Sequence, residues 1–267
     1  MLFLRRSLLG FLAALFVGVV TGYGQPAPAA RVFQLGEDLV YNVRYGPFDL
    51  GSVRVLVLER QATPQHIVYY CKALINSYPK VPFVDLHATY ESYIDTMMYS
   101  HKFIGRLKQD DWWSFSRYTF EYDKKRAILE KGDRDTIVSK RDTMALEGVV
   151  EDGLSLFFAA REHLLSGKNM TLPTMINEER VTTRINFTGK EEPAEVDAIA
   201  YPVDAVKFEG NADFVGIFGL TGGFEGWFSN DEARVPIMAK MKVILGSVTI
   251  ELMQWKRAGW TPPRAKE

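Results

Sequence analysis

The chain has 267 residues, 47% hydrophobic and 13% aromatic, a content that excludes a disordered chain and supplies a large core. Its 32 basic and 33 acidic residues nearly cancel, so composition gives no bias toward nucleic acid or anionic lipid, and no nucleic-acid partner is expected. Cys71 is the single cysteine and cannot close an internal disulfide, so stability must come from packing.

Near its start the chain has Leu4, Arg5 and Arg6, followed by an apolar run from Ser7 to Val20 and the small-residue close Thr21-Gly22-Tyr23-Gly24. The run is shorter than the ~20 residues a spanning helix needs, and no basic stop-transfer flank follows it. It reads as a secretory signal peptide over residues 1–24, cleaved before Gln25 or within the linker that follows. Arg5-Arg6 matches a twin-arginine start, but an ordinary secretory route is the expectation. Removing both arginines from the 32 basic residues leaves 30 against 33 acidic ones. No cysteine follows the apolar run to accept lipid, so the expected product is periplasmic or otherwise exported, soluble after cleavage, and without a transmembrane segment. The division is a linker over 25–34, one β domain over 35–258 and a flexible tail over 259–267.

Short segments with period-two alternation then recur, each ended by Gly, Pro, Asn or Asp. Leu39, Tyr41, Val43 and Tyr45 share a face of the first strand, which stops at Gly46-Pro47, and Phe48 to Gly51 reads as a turn. Val53, Val55 and Val57 make the second strand, with Leu56 and Leu58 on its other face. Ile67 to Ile75 is the third, ended by Pro79 and Pro82. Leu86 to Ile104 reads as one long strand that must bend or bulge. Ser114–Tyr122, Arg126–Glu130 and Thr136–Lys140 follow, with Lys131-Gly132-Asp133 as a turn.

The one strong helix signal comes next. Asp152 suits the N-cap, Leu154, Phe157, Phe158, Arg161 and Leu165 fall near one stripe, and Gly167 suits the exit. Strands resume at Arg180–Thr188, Val203–Glu209, Gly226–Ser229, Val235–Val243 and Val248–Trp255. No linker, repeat or low-complexity tract divides them. The expected fold is mainly β: a single-domain curved antiparallel sheet or open barrel with one embedded α-helix.

The densest polar row is on the predicted strand around residue 90, where alternation puts His87, Thr89, Glu91, Tyr93 and Asp95 on one face. Glu91 and Asp95 stand two pleats apart, where a polar head group or cation could be held, and a solvated or hydrogen-bonded wall is the competing reading. Trp112 and Trp113 are adjacent, so they point to opposite sides and cannot share one core. One of them caps a cavity mouth or meets a partner, unless both faces of the strand are covered. His87, Glu91, Tyr93, Asp95, Trp112 and Trp113 are therefore the candidate ligand-binding residues.

No catalytic residue is assigned. The four histidines are scattered without metal-ligand spacing, so neither a metal nor another cofactor is expected. There is no nucleophile elbow, and Cys71 reads as a small core residue. The glycine-rich Gly219–Gly226 lacks the lysine and helix of a phosphate loop. Met238, Met241 and Met253 suit a core or the wall of an adaptable lipid cavity.

Four ordered blocks carry a resemblance. Leu35 to Pro47 (LGEDLVYNVRYGP) with Leu50-Gly51, Glu91 to Asp95 (ESYID), Glu151 to Arg161 (EDGLSLFFAAR), and Gly226 to Ile237 (GWFSNDEARVPI) with Gly246 to Leu252 (GSVTIEL) resemble the exported bacterial family called domain of unknown function 3108. The resemblance implies a curved antiparallel β architecture and an envelope setting, and supplies no catalytic residue. An arginine in the Pro47–Gly51 turn and a cysteine after the signal, found in some relatives, are absent here, which removes support for membrane tethering.

The leading expectation is a non-catalytic envelope protein holding a lipid, acyl chain or other hydrophobic ligand in its sheet. Behind it stand an envelope assembly protein with a filled barrel that docks a protein partner, and, last, an enzyme using Glu91 and Asp95.

Overall fold

The computed structural model describes residues 29–62, 66–79, 81, 85–134, 137–212, 222–243 and 246–266. The expected signal peptide, Pro82 and the stretch from Gly219 to Thr221 lie outside these residues.

The fold is mainly β, built on one sheet that curls like a barrel without closing. Along the first half of the chain run β1 (Asp38–Tyr45), β2 (Phe48–Ala62), β3 (Ile67–Ser77), β4 (His87–Asp95), β5 (Ser100–Lys108), β6 (Trp113–Glu121), β7 (Arg126–Gly132) and β8 (Lys140–Ala145). The second half contains the two-residue β9 (Glu151–Asp152), helix α2 (Ser155–His163), β10 (Asn169–Ile176), β11 (Glu179–Glu191), β12 (Ala205–Ala212), β13 (Gly222–Ser229), β14 (Pro236–Lys242) and β15 (Ser247–Lys256). A single-turn helix, α1 (Ala29–Val32), precedes them.

Every neighbouring pair is antiparallel except β9 with β10, and β1 pairs with β15, so the two halves are meanders joined at their outer ends. The free edges are β8 and β9. β8 is exposed and carries Lys140, Arg141 and Asp142, charges that discourage edge-to-edge pairing. β9 is buried.

Alternation sets the inner face. In β1, Leu39, Tyr41 and Val43 are buried, and so are Val55 and Val57 of β2. Leu58, on the opposite face from Val57, is exposed, and the register slips beside it between Val57 and Glu59. Phe48 to Gly51 is strand rather than turn: Gly46, at φ +54°, and Pro47 alone make the connection, a Gly-first arrangement suited to a two-residue hairpin. The expected long strand over Leu86–Ile104 is instead a hairpin. Its turn is held by Asp95, whose Oδ1 accepts the Met97 (2.8 Å) and Tyr99 (3.0 Å) N–H groups while Met98 takes φ +71°.

The strand expected over Thr136–Lys140 starts only at Lys140. β10 was not anticipated, because Pro173 interrupts its pattern; the proline lies outside the Thr174–Met175 pairing with β9 and its missing N–H breaks nothing there. The described parts of the expected linker and of the expected tail pack onto the sheet. Val32 and Phe33 are buried, Phe33 stacking on Tyr69 (4.3 Å) and Phe158 (4.7 Å), while Arg264 pairs with Val203.

The main core surrounds α2 at one end of the barrel. Phe158, Ala159, Ala160 and Leu164 are buried there, and Leu165 is exposed, off the stripe assigned to it. A second cluster, including Phe103, Tyr118, Leu129, Val150 and Met175, fills the seam where the β10 side curls onto β5–β7.

Candidate functional site

The interior is a cavity of about 670 Å³, within the range of ligand pockets, ~300–1,000 Å³. Its floor is α2, which offers Leu156, Phe157 and Ala160. Its wall is apolar and comes from both halves of the sheet, with Val43, Ile75 and Phe103 on one side and Ile185, Phe224 and Ile250 on the other. Met238 and Met241 contribute to it; Met253 does not. The mouth lies at the opposite end from α2, where the lining includes exposed Lys131, Asp133 and Lys242.

Glycines set opposite aromatic residues shape the wall. Phe208 pairs across β12–β13 with Gly226, and Phe224 pairs with Gly210. A Cβ on Gly226 would stand 2.4 Å from the Phe208 ring, and one on Gly210 would stand 2.2 Å from Phe224. Each ring therefore lies over a backbone that only glycine leaves bare.

Two carboxylates stitch the seam where no backbone ladder closes it. Near the mouth, Glu178 accepts from the Ser116 hydroxyl (2.8 Å) and the Tyr118 hydroxyl (3.2 Å) and pairs with Lys131. Near the floor, Asp152 Oδ2 accepts from the Ser92 and Ser100 hydroxyls, and its Oδ1 accepts the Leu154 (2.7 Å) and Ser155 (2.8 Å) N–H groups at the start of α2. Burial pushes the Asp152 pKa up, and these donors hold it back. Its neighbour Glu151 is 4% exposed, with an Oε2 that has no hydrogen-bond partner. Burial pushes Glu151 up to about 8, reinforced by the Asp152 and Asp95 charges and opposed by Ser155.

Under the floor, Arg161 is fully buried and forks onto Glu37 (Nη1 to Oε1 2.7 Å, Nη2 to Oε2 3.1 Å) while donating to the Ala233 and Arg234 carbonyls. Arg257 also donates to Glu37. This buried triad ties α2 to the chain entry and to the β15 exit. Burial works against the Arg161 charge, and Glu37 outweighs it.

None of the six candidate residues lines the cavity. Inward-facing Ala88, Tyr90, Ser92 and Ile94 leave His87, Glu91 and Tyr93 on the outer wall. His87 bonds Asn76 (2.8 Å), Glu91 accepts from Arg106 (3.0 Å) and pairs with Lys72 (3.4 Å), and Tyr93 stacks on Tyr70 (4.9 Å). Asp95 is buried, capping its turn and bonding His101 (2.8 Å). Glu91 and Asp95 thus serve different partners. Trp112 is exposed in the β5–β6 turn at the mouth end, and Trp113 is half-buried at the start of β6.

The structure brings His66 and His101 ring to ring (4.8 Å), although they come from different elements. Among the described residues no group of three or more His, Cys, Asp or Glu side chains is placed to hold a metal, and no helix is long and apolar enough to cross a membrane. Cys71 is buried, which pushes its thiol up. Of the cavity lining, sequence reading offered Met238 and Met241 as possible wall residues, and it missed the Glu178 cluster and the Glu37 triad. The only local signal was Arg161, a charge on the apolar stripe of α2.

Comparison with one solved structure supports the architecture. A beta-barrel-like protein of the DUF1849 family from Brucella abortus superimposes with a TM-score of 0.53 at 12% identity, covering 84% of this chain and 98% of its own. A protein with a YmcC-like fold from Bacteroides fragilis covers 84% of this chain and 97% of its own, with a TM-score of 0.35 at 9% identity. No curated protein matches. The family described as "Protein of unknown function (DUF3108)" matches residues 40–253, as the sequence blocks implied, and the chain belongs to it.

Proposed function

We propose that this protein is an exported, non-catalytic carrier that binds an apolar or amphipathic molecule, a lipid or acyl chain, inside its curled sheet. The observation that carries the reading is the apolar cavity of about 670 Å³, closed at one end by α2 and, among the described residues, open at the other. Burying an alkyl chain there releases about 0.8 kcal/mol per methylene, enough for tight binding without any catalytic group. That the described side chains leave this volume unfilled also favours a carrier over an assembly protein with a filled barrel. Export rests on the basic start, apolar run and small-residue close of residues 1–24.

The test is native mass spectrometry of the chain from Gln25 onward beside lipid extraction, followed by titration with a fluorescent fatty acid. Ala239 lines the cavity opposite Gly226 and Ile250, so Ala239→Trp fills it. Wild-type uptake at least tenfold tighter than that of the folded variant supports a carrier. Equal or absent uptake by both removes it.

A further inference from the structure

We propose that the mouth end of the barrel docks on a phospholipid bilayer, placing the cavity opening directly against the membrane. This rests on the carrier reading for its purpose and on separate residues for its evidence.

The turns β1–β2, β5–β6 and β7–β8 all lie at the end away from α2. They present Tyr45, Phe48, Leu107, Trp112, Ile137 and Val138 to solvent, with Phe48 65% and Ile137 59% exposed. Among the described residues five other large apolar side chains are exposed elsewhere, Leu35, Leu58, Met97, Val149 and Leu165, and none of them is aromatic. Among the described residues the exposed aromatic side chains, Tyr45, Phe48 and Trp112, all belong to the mouth. Tryptophan and tyrosine beside lysine are the residues favoured where headgroups meet acyl chains.

The rim is continuous with the cavity. Leu107 belongs to both, and the Tyr45 ring lies 3.4 Å from the position of a Cβ on Gly246, next to the Ser247-Val248 entry into β15, where Val248 lines the wall. An apolar ligand leaving by this route passes over apolar side chains rather than into water.

The occupant follows from shape and charge. A stable protein interface needs about 800 Å² of contiguous complementary surface per partner, whereas these tips stand on separate hairpins beside an opening. A bilayer is fluid and fills the spaces between them. The tips are also edged by charges of both signs, with exposed Lys108, Lys140 and Lys242 among Asp110, Asp111 and Asp133. That mixture suits a zwitterionic headgroup layer and gives no strong attraction to an anionic one.

The experiment is flotation of the chain from Gln25 onward with phosphatidylcholine vesicles at low and high salt, comparing wild type, Phe48→Ser/Ile137→Ser and Met97→Ser. Neither Phe48 nor Ile137 lines the cavity, and Met97, also 65% exposed, sits in the β4–β5 turn at the opposite end. The expected result is salt-insensitive binding, weakened at least tenfold by the double substitution, unchanged by Met97→Ser, with fatty-acid uptake equal in all three. Three results overturn the docking: no flotation, equal loss from Met97→Ser, or sedimentation showing that the rim is buried in a dimer. If vesicles bind but no fatty acid is taken up, docking stands and the carrier reading fails; uptake without flotation gives the reverse.

Discussion

Replacing Glu151 by Gln should change how stability depends on pH, and the structure sets the size of the change. Glu151 is 4% exposed at the floor seam, and burial moves its pKa from 4.5 to about 8. A carboxyl whose pKa is higher folded than unfolded contributes nothing adverse below pH 4.5. Above it, the unfolded chain releases the proton first, so stability falls until the folded group also ionises near pH 8. At about 1.4 kcal/mol per pH unit, the loss between pH 5 and pH 8 is about 3–4 kcal/mol. Glu151→Gln removes that loss while keeping the shape. Urea unfolding of both proteins at pH 5, 6, 7 and 8 should show near-equal stability at pH 5 and a variant more stable by about 3 kcal/mol at pH 8. Parallel curves across this window would refute the buried neutral carboxyl. Asp152 is pushed in the same direction and is present in both proteins, so the difference isolates Glu151.

Further predictions concern the floor and the wall. Glu37→Gln leaves Arg161 and Arg257 facing each other without their shared carboxylate and should cost about 3–5 kcal/mol in urea unfolding; a loss below 1 kcal/mol would mean that the triad is not a structural tie. Gly226→Ala forces Phe208 away from a Cβ at 2.4 Å, and Phe208 is itself packed on Phe228 (4.7 Å) and Phe187 (5.5 Å). The expected cost of about 1–3 kcal/mol should lower Tm by several degrees at ~2–4 °C per kcal/mol; an unchanged Tm would show that the wall yields freely.

Period-two alternation by itself determined the mainly β fold and most of its strands, because residues such as Leu39, Tyr41 and Val43 report a buried face through local geometry alone. The same holds for α2, whose cap and apolar stripe are encoded within one segment. Local pattern failed where a turn is made by one side chain, as Asp95 does in splitting Leu86–Ile104 into two strands, and where Pro173 hides a strand that tolerates it. Alternation groups His87, Glu91 and Tyr93 on one face and extends the row to Asp95, which the shift in register beyond Tyr93 leaves buried instead, and it does not say which face looks inward. That was decided by the curl of the sheet, which brings Phe103 and Phe224 to one cavity and leaves Glu91 outside with Lys72 and Arg106. The Glu37–Arg161 contact spans 124 positions and the Ser116–Glu178 contact spans 62, so their partners depend on how far the sheet bends and where its edges meet. Only tertiary structure sets those quantities, because they arise from the summed twist and register of fifteen strands rather than from any one of them.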